Sequence, residues 1–103
     1  MAASGYWIAR VQVNDENAYL QYASAATAAY AAYGGKLLVR GGPYEAVEGD
    51  SRPRNVVIEF PSYRAALDCY NSAAYQAARE YREKAADADI IIVEGYDGPQ
   101  PSA

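Results

Sequence analysis

Four short runs of the chain alternate between apolar and mixed positions, and the stretches between them limit how the runs can be joined. They are GYWIARVQV (5–13), KLLVR (36–40), NVVIEF (55–60) and ADIIIVE (88–94). In a strand, successive side chains point to opposite sides of the sheet. One parity is wholly apolar: Trp7, Ala9, Val11 and Val13; Leu37 and Val39; Val56, Ile58 and Phe60; Ile91 and Val93. This set is expected to face a layer of helices. The other parity is mixed: Tyr6, Ile8, Arg10 and Gln12; Lys36, Leu38 and Arg40; Val57 and Glu59; Ile90, Ile92 and Glu94.

The segments between the runs read as helices and one long loop. Asn14 and Asp15 offer an N-cap for an alanine-rich helix over Asp15–Tyr33, which Gly34–Gly35 stops. On it Tyr19, Tyr22, Tyr30 and Tyr33, with Ala26, fall in an arc of roughly 80°, the pattern of a packing face. Residues 41–55 form a polar loop rich in glycine and proline, with a strand extension expected at Glu45–Val47. Pro61 and Ser62 open a short helix that runs to Tyr70, with Tyr63, Ala66, Leu67 and Tyr70 on one stripe. Asn71–Ser72 breaks it, and Ser72 caps a further helix from Ala73 to about Ala86.

The order β-α-β-β-α-β, with its second helical stretch split, predicts an α+β, ferredoxin-like fold. Four antiparallel strands carry helices on one face. One domain is expected over residues 1–97, with a flexible tail at 98–103. The uncovered face holds Ile8, Leu38, Val57, Ile90 and Ile92, too much apolar surface for a solvated sheet. Two such sheets packed face to face in a homodimer would bury about 1,600 Å² or more.

Composition excludes several function classes. The chain has no histidine and a single cysteine, Cys69. Zinc, haem and iron sites lean on imidazole or on several thiolates, so no metal site and no cofactor are expected. Serine–histidine and cysteine–histidine nucleophile systems are ruled out. Proton transfer falls to Asp, Glu, Tyr, Lys or Cys. With a net charge of −4 and scattered basic residues, the chain lacks the basic stripe that nucleic acid requires. No apolar run reaches the length of a membrane span, and MAASGYWIARVQV lacks the layout of a secretory signal. A lone cysteine suits a cytoplasmic location.

The groups able to carry chemistry are few. Arg40 and Glu59 fall on the mixed parity, where a guanidinium fork could hold a substrate carboxylate beside a glutamate base. The competing reading is an ion pair in the dimer interface. Arg82 shares a helix face with Tyr75 and Arg79, so it either snorkels to an edge or anchors an anion near the Tyr75 phenol. Strand parity puts Arg40 and Glu59 on the opposite side of the sheet from Tyr75 and Arg82. Arg52 and Arg54 are solvated or form a positive lid over a cleft. Cys69 reads as a small packed side chain.

GYWIARVQV, YGGKLLVRGG, the Glu-Gly of EAVEGD, NVVIEFPS, CYNSAAYQ and IIIVEGYD together resemble the bacterial family called domain of unknown function 1330, within the dimeric α/β-barrel group. The resemblance covers about Gly5 to Gly95. It implies a ferredoxin-like homodimer, in a group that includes cofactor-free monooxygenases, dehydrochlorinases, isomerases and stress-related barrels, and it names no reaction. The family's recurring polar positions map onto Arg40, Glu48, Arg54, Glu59, Tyr70, Ser72, Tyr75 and Arg82. Many relatives carry a tryptophan at position 69 and a Pro-Glu pair at 73–74, where this chain has Cys69, Ala73 and Ala74.

Two functions are therefore expected to compete. In one, a small aromatic or carboxylate-bearing molecule is bound or transformed in a cleft near the dimer interface. Glu59 and Tyr75 are then the catalytic candidates, and Arg40, Arg54, Tyr70, Ser72 and Arg82 the binding candidates. In the other, the chain is a non-catalytic dimerisation or stress-associated module whose interior is filled. An open cavity lined by Arg40, Glu59 or Tyr75 separates the two.

Overall fold

A computed structural model describes residues 3–102. Met1 and Ala2, at the start of the expected domain, and Ala103, at the end of the expected tail, lie outside the described residues. The elements run β1 (Gly5–Val13), α1 (Glu16–Ala32), β2 (Lys36–Arg40), β3 (Arg54–Phe60), α2 (Tyr63–Tyr70), α3 (Ala73–Ala85) and β4 (Ala86–Glu94). All four strands join one antiparallel sheet in the order β2-β3-β1-β4, the ferredoxin-like arrangement. Glu45–Val47 forms no strand; the loop there has no regular structure.

Each helix begins and ends where local chemistry requires. The Asp15 carboxylate accepts the Ala18 N–H at 3.1 Å. At the other end of α1, Gly34 adopts φ +78, while the Gly35 N–H reaches Tyr30 O at 2.8 Å and the Gly34 N–H reaches Ala31 O at 3.2 Å. This pair of bonds is the left-handed glycine stop that closes orphan carbonyls. Ser62 Oγ accepts the Ala65 N–H at 3.0 Å and starts α2. Ser72 Oγ accepts the Tyr75 N–H at 3.1 Å and donates to Cys69 O at 2.7 Å, ending one helix and starting the next. Such caps are worth about 1 kcal/mol each.

The core lies between the sheet and the helices and is built around Trp7. Its cross-strand neighbours are Ile58 and Ile92. The rings of Tyr30, Phe60, Tyr70 and Tyr75 stand 4.8–5.8 Å from it, and its indole N–H donates to Ala66 O at 2.9 Å. Helix α1 buries Tyr19, Tyr22, Ala26 and Ala29, and packs Tyr30 and Tyr33 at the margin. On α2 the buried residues are Ala66 and Cys69, whereas Tyr63 is exposed, so the expected α2 stripe is shifted by one side chain.

Strand parity is corrected in two places. On β4, Trp7 opposes Ile92 and Ala9 opposes Ile90, which puts Ile90 and Ile92 on the core side and leaves Ile91 and Val93 exposed. An unbroken Ile90–Val93 run carries no alternation of its own, so pairing with β1 decides its facing. On β2, Lys36 pairs with Glu59 and Leu37 with Ile58, but the next pairs are Val39 with Val57 and Arg40 with Val56. The register shift leaves Leu38 as an extra residue, and such a bulge reverses the facing of all that follows it. Val39 therefore joins the open face, and Arg40 turns to the helix side.

Candidate functional site

The β2 bulge assembles a cleft that brings two arginines together. Arg40 and Arg54 meet on the helix side of β2 and β3, where with Gln12, Glu16, Tyr19 and Leu20 they line an opening of about 310 Å³. Arg54 opposes Val11, which fixes its facing. Its Nε donates to the Tyr19 hydroxyl at 3.2 Å, and its guanidinium lies 5.2 Å from the Tyr19 ring centroid. Gly41, at φ +65, makes room for it, since a Cβ there would stand 2.6 Å from Arg54 Nη1. The ion pairs among the described residues are Arg52–Asp89, Arg64–Asp68 and Arg79–Glu83, so neither Arg40 nor Arg54 is neutralised by a carboxylate contact.

A recess of about 30 Å³ continues the cleft inward between Tyr19, Tyr22, Tyr30, Leu37 and Val56. There the Tyr22 hydroxyl lies 2.9 Å from the Tyr75 hydroxyl and 3.3 Å from that of Tyr30. Burial is the main cause that pushes the Tyr22, Tyr30 and Tyr75 phenols above their ordinary range, so all three stay protonated at neutral pH. They form a fixed chain of neutral hydroxyls that can donate or accept.

The other sequence candidates are dispersed. Glu59 is on the open face, opposite Tyr6, whose hydroxyl donates to Glu59 Oε2 at 2.9 Å; that bond raises the Tyr6 phenol. The expectation that Arg40 and Glu59 share a face is corrected: the bulge separates them. The further expectation that Arg40 and Tyr75 lie on opposite sides is corrected with it, because both are on the helix side. Tyr75 is fully buried against Trp7 and Tyr22. Tyr70 packs on Trp7 and Tyr75, and Ser72 is a cap between helices. Glu48 sits in the exposed loop. Arg52 pairs with Asp89 at 3.2 Å, away from the cleft. Cys69 is buried, its thiol pushed up to about 11 by burial, with Sγ 3.6 Å from Ala29 O.

Arg82 is only 9 % exposed. Its guanidinium stands 5.5 Å from the Tyr22 ring centroid, and its Nε–H has no hydrogen-bond partner. With Tyr70, Arg79, Glu83, Ala88 and Ile90 it lines a second cleft, of about 250 Å³, on the far side of the tyrosine chain. Among the described residues no three His, Cys, Asp or Glu side chains come together as a metal-binding group.

Sequence reading missed Tyr19, Tyr22 and Glu16. The tyrosine stripe of α1 was legible as a packing face, but a buried tyrosine also requires a partner for its hydroxyl. Four hydroxyl-bearing rings on one stripe were the available sign that this layer holds a polar network as well as a core.

Among solved structures, the chain is similar to a protein of unknown function from Rhodopseudomonas palustris, with 17 % identity and a TM-score of 0.76 over 95 % of this chain and 86 % of that one. It is also similar to SnoaB, a cofactor-independent oxygenase from Streptomyces nogalater, at 12 % identity and TM-score 0.63, covering 97 % of each chain. A dimeric ferredoxin-like protein of unknown function from Thermobifida fusca aligns at 14 % identity and TM-score 0.62, over 91 % of this chain and 92 % of the other. At these identities the likeness shows the fold. No curated protein matches the sequence. No helix among the described residues is long and apolar enough to cross a membrane. The profile of the family Domain of unknown function (DUF1330) matches residues 4–96, over the same elements that build the sheet and the cleft, and the chain belongs to that family.

Proposed function

We propose that the protein binds a small, carboxylate-bearing aromatic molecule in the cleft between α1 and the β2–β3 edge. The observation that carries this reading is the convergence of Arg40 and Arg54 on one opening with no carboxylate contact to neutralise them. A guanidinium pair suits a carboxylate, which it can bind through parallel N–H···O bonds. Tyr19 offers a ring face beside it, and the recess at Tyr22 and Tyr30 presents hydroxyls to the inner end of a ligand. Glu16 is the acidic residue on the rim and the nearest candidate for proton transfer. Glu59 and Tyr75 do not line this cleft.

The working form in this proposal is a cytoplasmic homodimer formed through the open sheet face. Ile8, Val39, Val57, Ile91 and Val93 supply an apolar patch there, and the Thermobifida fusca neighbour is described as dimeric. Light scattering is expected to give twice the mass of 11.1 kDa, and an Ile8→Asp variant to give a single protomer. For the ligand, calorimetric titration with benzoate and phenylacetate is the test. Arg40→Ala and Arg54→Ala are each expected to weaken binding about tenfold, the scale of a lost charge-assisted bond. Arg52→Ala serves as the control and leaves affinity unchanged. Equal affinities in the parent and in the Arg40→Ala/Arg54→Ala double variant would sink the assignment.

A further inference from the structure

Taking a guanidinium out of water is costly unless an opposite charge or a full set of acceptors replaces the water. Arg82 has neither. Among the described residues it makes no ion pair and its Nε–H finds no partner, and it is nine-tenths buried. Its neighbour Arg79 has its charge answered by Glu83 at 2.8 Å. The groups that do approach Arg82 are the Tyr22 and Tyr75 phenols. Burial holds both neutral, so neither supplies the missing charge. Burial works against the Arg82 cation too, and those two oxygens hold it in its charged form. A guanidinium does not deprotonate to escape the cost.

We propose that the cleft between α3 and β4 is a second anion site, in which Arg82 takes the carboxylate of a small monocarboxylic acid. The geometry selects that class. Ala88, Ile90 and Tyr70 give a mostly polar cleft one small apolar side for a short organic body, and the Arg82 guanidinium supplies a fork. Glu83 and Arg79, both on the cleft, answer each other, so the Arg82 charge is the one left over and one carboxylate balances it. The site shares no lining residue with the Arg40–Arg54 cleft, and the buried chain of tyrosine hydroxyls lies between them. Its existence does not depend on the function proposed for that cleft.

The test follows the Arg82 Nε–H resonance in nitrogen-edited spectra of the Arg40→Ala/Arg54→Ala protein, where the first cleft is silenced. Benzoate and acetate are expected to move that resonance saturably, with benzoate the tighter. Ala88→Leu narrows the cleft while keeping the Arg82 side chain and is expected to weaken binding about tenfold, with the amide spectrum otherwise kept. Arg82→Met is expected to abolish the effect of benzoate on the melting temperature. Inorganic phosphate, the free-anion probe, is expected to bind more weakly than benzoate. The proposal is overturned if neither carboxylate moves the resonance, if Ala88→Leu leaves the titration unchanged, or if phosphate binds as tightly as benzoate. The Ala88→Leu arm still decides the matter if Arg82→Met fails to fold.

Discussion

The two faces of the sheet use the same residue types to opposite ends. On the helix side, tyrosine hydroxyls and arginines sit inside the packing: Tyr22 bonds Tyr75, Arg54 bonds Tyr19, and Arg82 lies over Tyr22. On the open side the polar groups stand apart, with a Tyr6–Glu59 bond at one end and an Arg52–Asp89 pair at the other. Ile8, Val57, Ile91 and Val93 fill the space between. Buried polar groups demand partners and so fix a single arrangement. An apolar patch edged by polar groups instead invites a partner surface. In the function proposed above, one face holds a small ligand and the other meets a second copy of the chain.

That contrast can be broken by experiment. The largest effect is expected from Trp7→Ala, which empties the centre of the helix-side core and should cost about 3–5 kcal/mol in urea unfolding. Ile8→Ala, next to it in sequence but on the open face, should change protomer stability by less than about 1 kcal/mol and act on dimerisation. Equal losses from the two would erase the distinction between the faces. Alkaline titration comes next. The folded-state phenols of Tyr22, Tyr30 and Tyr75 are raised above 10.0, so above that pH the unfolded chain releases protons that the folded chain keeps. Stability is then fully present below about pH 10 and falls by about 1.4 kcal/mol per pH unit for each phenol as pH rises. A flat profile up to pH 11 would show that these hydroxyls are not buried as described.

Smaller effects sharpen the picture. Tyr75→Phe removes one hydroxyl of the chain but leaves Tyr22 its bond to Tyr30, so the loss should be about 1 kcal/mol. The same change should reduce the alkaline slope by one phenol. Arg52→Ala breaks a solvent-exposed ion pair and is expected to cost less than about 1 kcal/mol by thermal melting.

The fold was legible because its signals are local. Asp15, Ser62 and Ser72 cap helices where the sequence places caps, and Gly34 stops α1 with a positive φ. Alternation in β1 and β3 located the core around Trp7, Ile58 and Phe60. The cleft was only half legible. Arg40 and Arg54 could be named as binding candidates, but not their meeting, because facing on β2 depends on pairing with β3. A register shift belongs to two strands at once and leaves no mark in either alone. The Ile90–Val93 run failed for a related reason, since four apolar residues in a row fit either face equally well. Tyr19 and Tyr22 were hidden by their own burial, which the helical period reports while saying nothing about where their hydroxyls go.

The extra residue at Leu38 means that the cleft is encoded partly in chain length. Deleting that one position would restore strict alternation and leave Arg40 opposite Val56, still on the helix side, whereas pairing Leu38 in line with Val57 would carry Arg40 to the open face. In that second register Arg40 would lie opposite Asn55, beside Arg10, and the cleft would lose half its charge. Between relatives of this family, an arginine two places after the Leu37 position in a β2 without the extra residue therefore occupies the place of Arg40, and an alignment that omits the gap will equate residues pointing in opposite directions.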